Sequence, residues 1–222
     1  MMTAATPAPA AAFFDVDRTL VGPESMEKLF ARFLIRRGFL GPGDLGRYLA
    51  YLARHWERLG SGLVRENKYH FKDKDPEEFQ RLAGECFWGE IRPRISPAGR
   101  RMVRQHQAAG HLVVLLTGSL GPLADLLARD LEADLALAAR LAVENGTLAG
   151  TLCNPRPYGA EKARLVRELA QRRSLDLAAS YAYGDHHSDL AVLSLVGNPV
   201  AVNPDARLRL HALRRGWPIR KF

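Results

Sequence analysis

An apolar run that ends abruptly in two carboxylates, Phe13-Phe14-Asp15-Val16-Asp17-Arg18-Thr19-Leu20, constrains this chain more than any other stretch. The acids stand at i and i+2, and a hydroxyl follows two residues later. A buried strand running into a turn delivers this pattern and leaves both acids at the open end of a sheet. Carboxylates this close repel, so either a cation sits between them or one holds a proton. A metal, a phosphate-handling site or both would meet that need.

The other parts of such a site must come from elsewhere in the 222 residues, a length for one large domain or one domain with an insertion. With 47% apolar and 25% charged residues, the chain can build a real core. Cys86 and Cys153 lie far apart, which argues against a disulfide framework or a C-x-x-C zinc site and suits a reducing cytoplasm. No apolar run reaches the length of a membrane span. Residues 1–12 have neither a basic nor a strongly apolar stretch and read as a flexible tail, not a signal peptide. The net charge of +8 favours anionic ligands. Because the arginines are spread out, with no aromatic-interleaved basic motif, the surplus reads as solvated surface and nucleic acid is not an expected partner.

After Leu20 the period changes from strand to helix. Met26, Leu29, Phe30, Phe33 and Leu34 form one apolar face, ending at Gly38. A second helix is expected after Gly41-Pro42-Gly43, with Asp44 as its N-cap, Leu45, Tyr48, Leu49, Leu52, Trp56 and Leu59 on its face, and Gly60-Ser61-Gly62 as its break. A weaker segment over 63–71 leads to Asp75-Pro76, which opens a helix carrying Phe79, Leu82, Ala83, Cys86 and Phe87. Residues 22–95 therefore read as a helical bundle. From Pro97 helices alternate with strands: a helix over 98–109, strands over 111–117 and 135–143, and a turn at Asn145-Gly146 into a strand over 147–152. A helix over 161–173, strands over 181–183 and 199–202, and a last helix from Asp205 complete the chain. This grammar predicts an α/β fold with a parallel sheet covered on both faces. The first strand must join that sheet to satisfy its backbone. The core is thus 13–21 plus 96–222, and 22–95 is a helical cap set as a lid directly after the two acids.

Four stretches that end or follow core strands are polar where apolar residues would be expected: Asp15/Asp17/Thr19, Thr117-Gly118-Ser119, Lys162, and Gly184-Asp185-His186-His187-Ser188-Asp189. Parallel strands bring their carboxyl ends to one edge, where open α/β sheets bind ligands. Four carboxylates, a lysine and hydroxyls suit a divalent cation with hard oxygen ligands together with a phosphoryl group. His186 and His187 read as polar residues on the rim.

In this order the motifs resemble those of the haloacid dehalogenase (HAD) superfamily, in its phosphoserine-phosphatase-like branch, subfamily IB. Asp15, Asp17 and Thr19 match the first motif, Thr117 the second, Lys162 the third, and Gly184, Asp185 and Asp189 the fourth. The resemblance runs from about Phe13 to the C-terminus. It implies a Rossmann-like core with an inserted, all-helical C1-type cap, and a Mg²⁺-dependent phosphatase in the cytoplasm. By this resemblance Asp15 is the nucleophile that forms an aspartyl phosphate, and Asp17 protonates the leaving alcohol and later deprotonates water. By the same resemblance Mg²⁺ is held by Asp15, the Asp17 backbone carbonyl, Asp185 and, through water or by hydrogen bonds to the metal's own ligands, Asp189, while Thr117 and Lys162 complete the catalytic set. Thr19, Gly118 and Ser119 bind substrate. Arg18 stands where the family usually has a small residue, and His186 where serine or glycine is common.

Glu24, nine residues after Asp15, stands where phosphoserine phosphatases place a glutamate that binds the substrate ammonium, or it caps the first cap helix. Arg65 and Lys68 are the nearest stand-ins for the cap arginine that grips a substrate carboxylate. The expected substrate is a small phosphorylated metabolite of the phosphoserine or histidinol phosphate type. The alternatives are a phosphotransferase using the same intermediate, or a non-catalytic basic binding protein on the same fold.

Overall fold

Phe13 and Phe14 are both fully buried, yet they belong to different cores, because successive side chains of a strand point to opposite faces. Their strand, β1 (Ala11–Asp15), lies near the middle of the sheet in the computed structural model, which describes residues 8–222. The side chains of 56–66 lie outside the described residues, as do residues 1–7 of the expected tail; Trp56, Leu59 and Arg65 are among those side chains. Strands β2 (Leu112–Leu120), β3 (Leu135–Ala139), β6 (Tyr181–Gly184), β7 (Asn198–Val202) and β8 (Ile219–Arg220) complete a sheet in the order β3-β2-β1-β6-β7-β8, every pair parallel. The chain fills one side of β1 with β2 and β3, then crosses to fill the other. The edge beyond β1 is thus a topological switch point, where such sheets open a crevice.

Helices α1 (Met26–Arg36), α2 (Pro42–Glu66) and α3 (Pro76–Cys86) follow β1 as the cap, and α4 (Pro97–Ala108) returns the chain to β2. Phe30, Phe79 and Phe87 of the cap share one apolar cluster with Phe14, Leu115 and Tyr183 of the sheet. Helices α5 (Gly121–Leu131), α6 (Ala160–Arg173), α7 (Leu190–Leu193) and α8 (Ala206–Arg215) cover the remaining surfaces. Val166 of α6 and Leu208 of α8 pack with Phe13 on the opposite face.

Four local expectations need correction. Ala11 and Ala12, the last residues of the expected flexible tail, are fully buried in β1 and pair with β2. Helix α2 begins at Pro42, whose fixed φ suits a first helical position, and Asp44 in the first turn reaches back to the Gly41 N–H at 2.9 Å instead of capping. Gly60-Ser61-Gly62 does not end α2, since glycines at roughly 1 kcal/mol each are tolerated within a helix of 25 residues. The strand expected over 135–143 is two: β3, then β4 (Leu141–Glu144), which pairs with β5 (Thr147–Leu152) in a separate antiparallel hairpin. The bend falls at Arg140, whose N–H donates to Asn154 Oδ1 at 2.7 Å and whose guanidinium grips Asp125 at 2.5 and 2.8 Å. That hairpin leans on the cap. Leu148 exchanges backbone hydrogen bonds with Asp73 and Lys74, and a Cβ on Gly150 would come within 3.0 Å of the Tyr69 Cα.

Candidate active site

Asp15 closes β1, Thr117 lies near the end of β2 and Asp185 follows β6, so the strand order sets Asp15 between the other two. Lys162 enters from the first turn of α6. Its Nζ donates to Asp15 Oδ1 at 2.5 Å and to Asp189 Oδ1 at 2.8 Å, with all three residues buried. The second oxygen of Asp15 accepts from the Thr19 hydroxyl at 2.9 Å. Asp189 can approach this closely because residue 184 is glycine: a Cβ there would lie 2.7 Å from the Asp189 Cβ.

Oxygens of Asp15, Asp185 and Asp189 lie within 4.8 Å of one another. Burial drives the Asp15 carboxyl well above the ordinary range; Asp189 and Asp185 push the same way, while Lys162 opposes them. Asp185 is raised to about 6 by burial and by Asp189, against the pull of Arg18 and Lys162. Burial disfavours the Lys162 ammonium too, but Asp15 and Asp189 outweigh it and raise its pKa. Three buried acids around one ammonium leave the group short of positive charge. Hard oxygen donors at this spacing fit a divalent cation such as Mg²⁺.

Arg18 supplies part of that charge. Its guanidinium lies 2.9 Å from Asp185 Oδ2, with the arginine half exposed. Its backbone holds φ at +67°, and its carbonyl accepts from Asn203 Nδ2 at 3.1 Å. The left-handed conformation aims the side chain back over the carboxylates.

The Asp17 carboxylate has its own set of donors: the Met26 N–H at 2.7 Å on one oxygen, and the Thr117 and Ser119 hydroxyls at 3.0 and 2.8 Å on the other. The first of these ties the acid to the N-terminus of cap helix α1. Thr117 and Ser119, expected as catalytic and substrate-binding residues, are buried, and both hydroxyls are turned to Asp17. Gly118 lines the cavity and presents its carbonyl to Arg156 Nε at 2.8 Å.

The cavity over Asp15 has a volume of about 460 Å³. Glu24 lines it, and both of its oxygens are taken by Arg32 at 2.6 Å. Arg156, not anticipated from the sequence, lines it too and donates to Glu27 Oε2 at 2.8 Å; Glu27 also accepts from the buried Lys68. Arg156 joins core to cap, but it is one of many arginines in a loop without periodicity. The sole hint was the rigid Pro155-Arg156-Pro157 sequence shortly before Lys162.

Comparisons with known proteins bear on the family and the fold. The family model described as haloacid dehalogenase-like hydrolase matches residues 12–194. A phosphoserine phosphatase of Mycobacterium tuberculosis, SerB1, is 36% identical over 96% of this chain and 71% of its own. A histidinol-phosphatase of Neisseria meningitidis is 26% identical over 95% of this chain and 98% of its own. The crystal structure of a Bordetella pertussis protein of unknown function superposes with a TM-score of 0.81 at 27% identity, covering 96% of this chain and 98% of that one.

Proposed function

Because the chain belongs to the haloacid dehalogenase-like hydrolase family, we propose that it hydrolyses phosphate monoesters of small metabolites through an aspartyl phosphate on Asp15. The observation that carries this reading is the arrangement around Asp15: a buried carboxylate at a strand end, held by Lys162 and Thr19 and facing a cavity beneath a cap. An Asp15 oxygen attacks phosphorus in line with the ester bond, which breaks as Asp17 gives a proton to the leaving oxygen. Water then attacks the same phosphorus, Asp17 takes its proton, and inorganic phosphate leaves Asp15 free. Lys162 stays on Asp15 and neutralises charge as the phosphoryl group arrives. Thr117 and Ser119 aim Asp17 at the reacting oxygen.

Asp15, Asp185 and Asp189 would hold Mg²⁺, joined by the Asp17 backbone carbonyl that the family resemblance implies. When bound, the metal offsets the negative charge of the carboxylates and of the phosphoryl oxygens. Relatives named for phosphoserine and for histidinol phosphate support a small, amine-bearing substrate. Glu24 lines the cavity and could meet such an amine only by sharing its oxygens with Arg32.

The deciding experiment is a phosphate-release panel with Mg²⁺ that includes phosphoserine and histidinol phosphate. The parent should release phosphate from at least one member, and EDTA should stop it. Asp15→Asn should lose on the order of a thousandfold or more while remaining folded. Equal release by variant and parent, or none from any substrate, would overturn the reading.

A further inference from the structure

The loop after β6 and the N-terminus of α8 bring together a second group of metal-binding atoms, on His186, His187 and Asp205. Their donor atoms all lie within 4.8 Å of one another. One first-row cation with bonds of roughly 2.0–2.2 Å in tetrahedral array sets its ligands about 3.3–3.6 Å apart. His187 Nδ1 stands 3.0 Å from Asp205 Oδ2, and His186 Nε2 stands 3.5 Å from the same oxygen. We propose that these three side chains bind one borderline-soft transition cation, of the Zn²⁺, Co²⁺ or Ni²⁺ class, separately from the all-oxygen group at Asp15. The proposal stands whether or not the phosphatase reading does.

Donor chemistry separates the two groups. Two imidazoles and one carboxylate suit zinc, cobalt and nickel, whereas three carboxylates suit magnesium. The ligands are also held in place beforehand. Asp205 Oδ1 accepts from the Leu208 N–H at 2.7 Å, and Oδ2 takes the His187 N–H at 3.1 Å. His186 Nδ1 lies 2.9 Å from Ser188 Oγ and 3.2 Å from Ser188 N. With its proton on Nδ1, His186 donates to that hydroxyl, gives up the longer contact, and turns the Nε2 lone pair toward Asp205. A fixed far nitrogen of this kind is what orients metal-bound histidines. Access is open, since all three residues are partly exposed; His186 lines the cavity over Asp15 and Asp205 lines the neighbouring one. A bound cation would fasten the loop carrying Asp185 and Asp189 to α8, along the path already made by the Asp205 N–H donating to the Asp185 carbonyl at 2.8 Å.

The test is titration of the full chain with Zn²⁺ and Co²⁺ in excess Mg²⁺, followed by calorimetry, cobalt visible absorption and thermal melting. One equivalent should bind, with cobalt bands and a raised Tm. His186→Ala and His187→Ala should each weaken that binding by at least about tenfold, while Asp185→Asn keeps it. Absence of the equivalent, undiminished binding by the double histidine variant, or its loss in Asp185→Asn would each overturn the proposal. Should the double variant not fold, histidine ring ¹⁵N shifts in the parent decide. Zinc should move His186 and His187, and movement confined to the other histidines refutes the site.

Discussion

Asp15 and Asp17 are two residues apart, yet their carboxylates have separate partners: Lys162 and Thr19 for the first, and Met26, Thr117 and Ser119 for the second. Electrostatics differ in the same way, because Lys162 places a full positive charge on Asp15 while, among the described residues, the hydrogen-bond donors to Asp17 are neutral. Arg18 adds a cation that any metal must displace or share, since it sits on Asp185 Oδ2. Asp185 is buried but Arg18 is half exposed, so water screens the pair and it is worth on the order of 1 kcal/mol. Arg18→Ala should therefore tighten Mg²⁺ binding up to roughly fivefold, as measured by calorimetry without substrate. Unchanged or weaker binding would mean that Arg18 does not compete. At Glu24, the Arg32 clamp predicts that Glu24→Ala raises KM for amine substrates and leaves an amine-free phosphate alone only if that clamp opens on binding. An equal rise for both substrates would make Glu24 structural.

At the scale of elements, the entry to α2 carries a pH-sensitive junction. Burial alone would raise the Asp44 carboxyl, but the Gly41 N–H, Lys74 and Arg47 together outweigh it and bring it to about 2 from an ordinary 3.8. A carboxyl depressed on folding contributes its full stability above the unfolded value and loses it as pH falls through the folded one. Asp44→Asn should cost about 1–2 kcal/mol at pH 7; the difference should shrink below pH 3.8 and vanish only below pH 2. Urea unfolding at pH 7 and below pH 2 reads this directly, and a difference that persists at the acid end would contradict it. Helix α3 behaves as its sequence predicts, with Asp75 accepting from the Glu77 N–H at 2.9 Å and Pro76 following. Asp44 could not be read that way. Its partner Lys74 lies thirty positions on, and Pro42 had already set the first turn.

Over the whole molecule, the polar ties between cap and core include the Leu148 backbone bonds to Asp73 and Lys74 and the link from Arg156 to Glu27 to Lys68. Glu27 stands between two cations, and the Lys68 side chain is only 5% exposed. Removing the acid leaves a buried ammonium without its partner, a loss of several kcal/mol when fully buried and less where water reaches the acid. Glu27→Ala should therefore lower stability by about 2–3 kcal/mol and loosen the lid, raising KM more than it lowers kcat. Denaturant melts and steady-state kinetics test the two halves, and an unchanged denaturation midpoint would remove the link from the account.

The sequence by itself determined the alternation of helix and strand, the cap inserted after β1, the three polar stretches at strand ends and Lys162 at a helix start. Each depends on short-range physics: the period of burial, the conformation of glycine and proline, and the requirement that polar residues at the end of a buried strand have a purpose. Only the tertiary structure decided what those polar groups face. The turning of Thr117 and Ser119 toward Asp17, the clamp of Arg32 on Glu24, the break between β3 and β4 at Arg140 and the link through Arg156 join residues from 8 to 129 positions apart. Charge partners over such separations follow from packing, because an arginine or a glutamate on a solvated face has the same local sequence signal as one that closes a site. The opening acids show both sides of this: their place was legible from the end of a strand, and their separate roles came from the elements that fold around them.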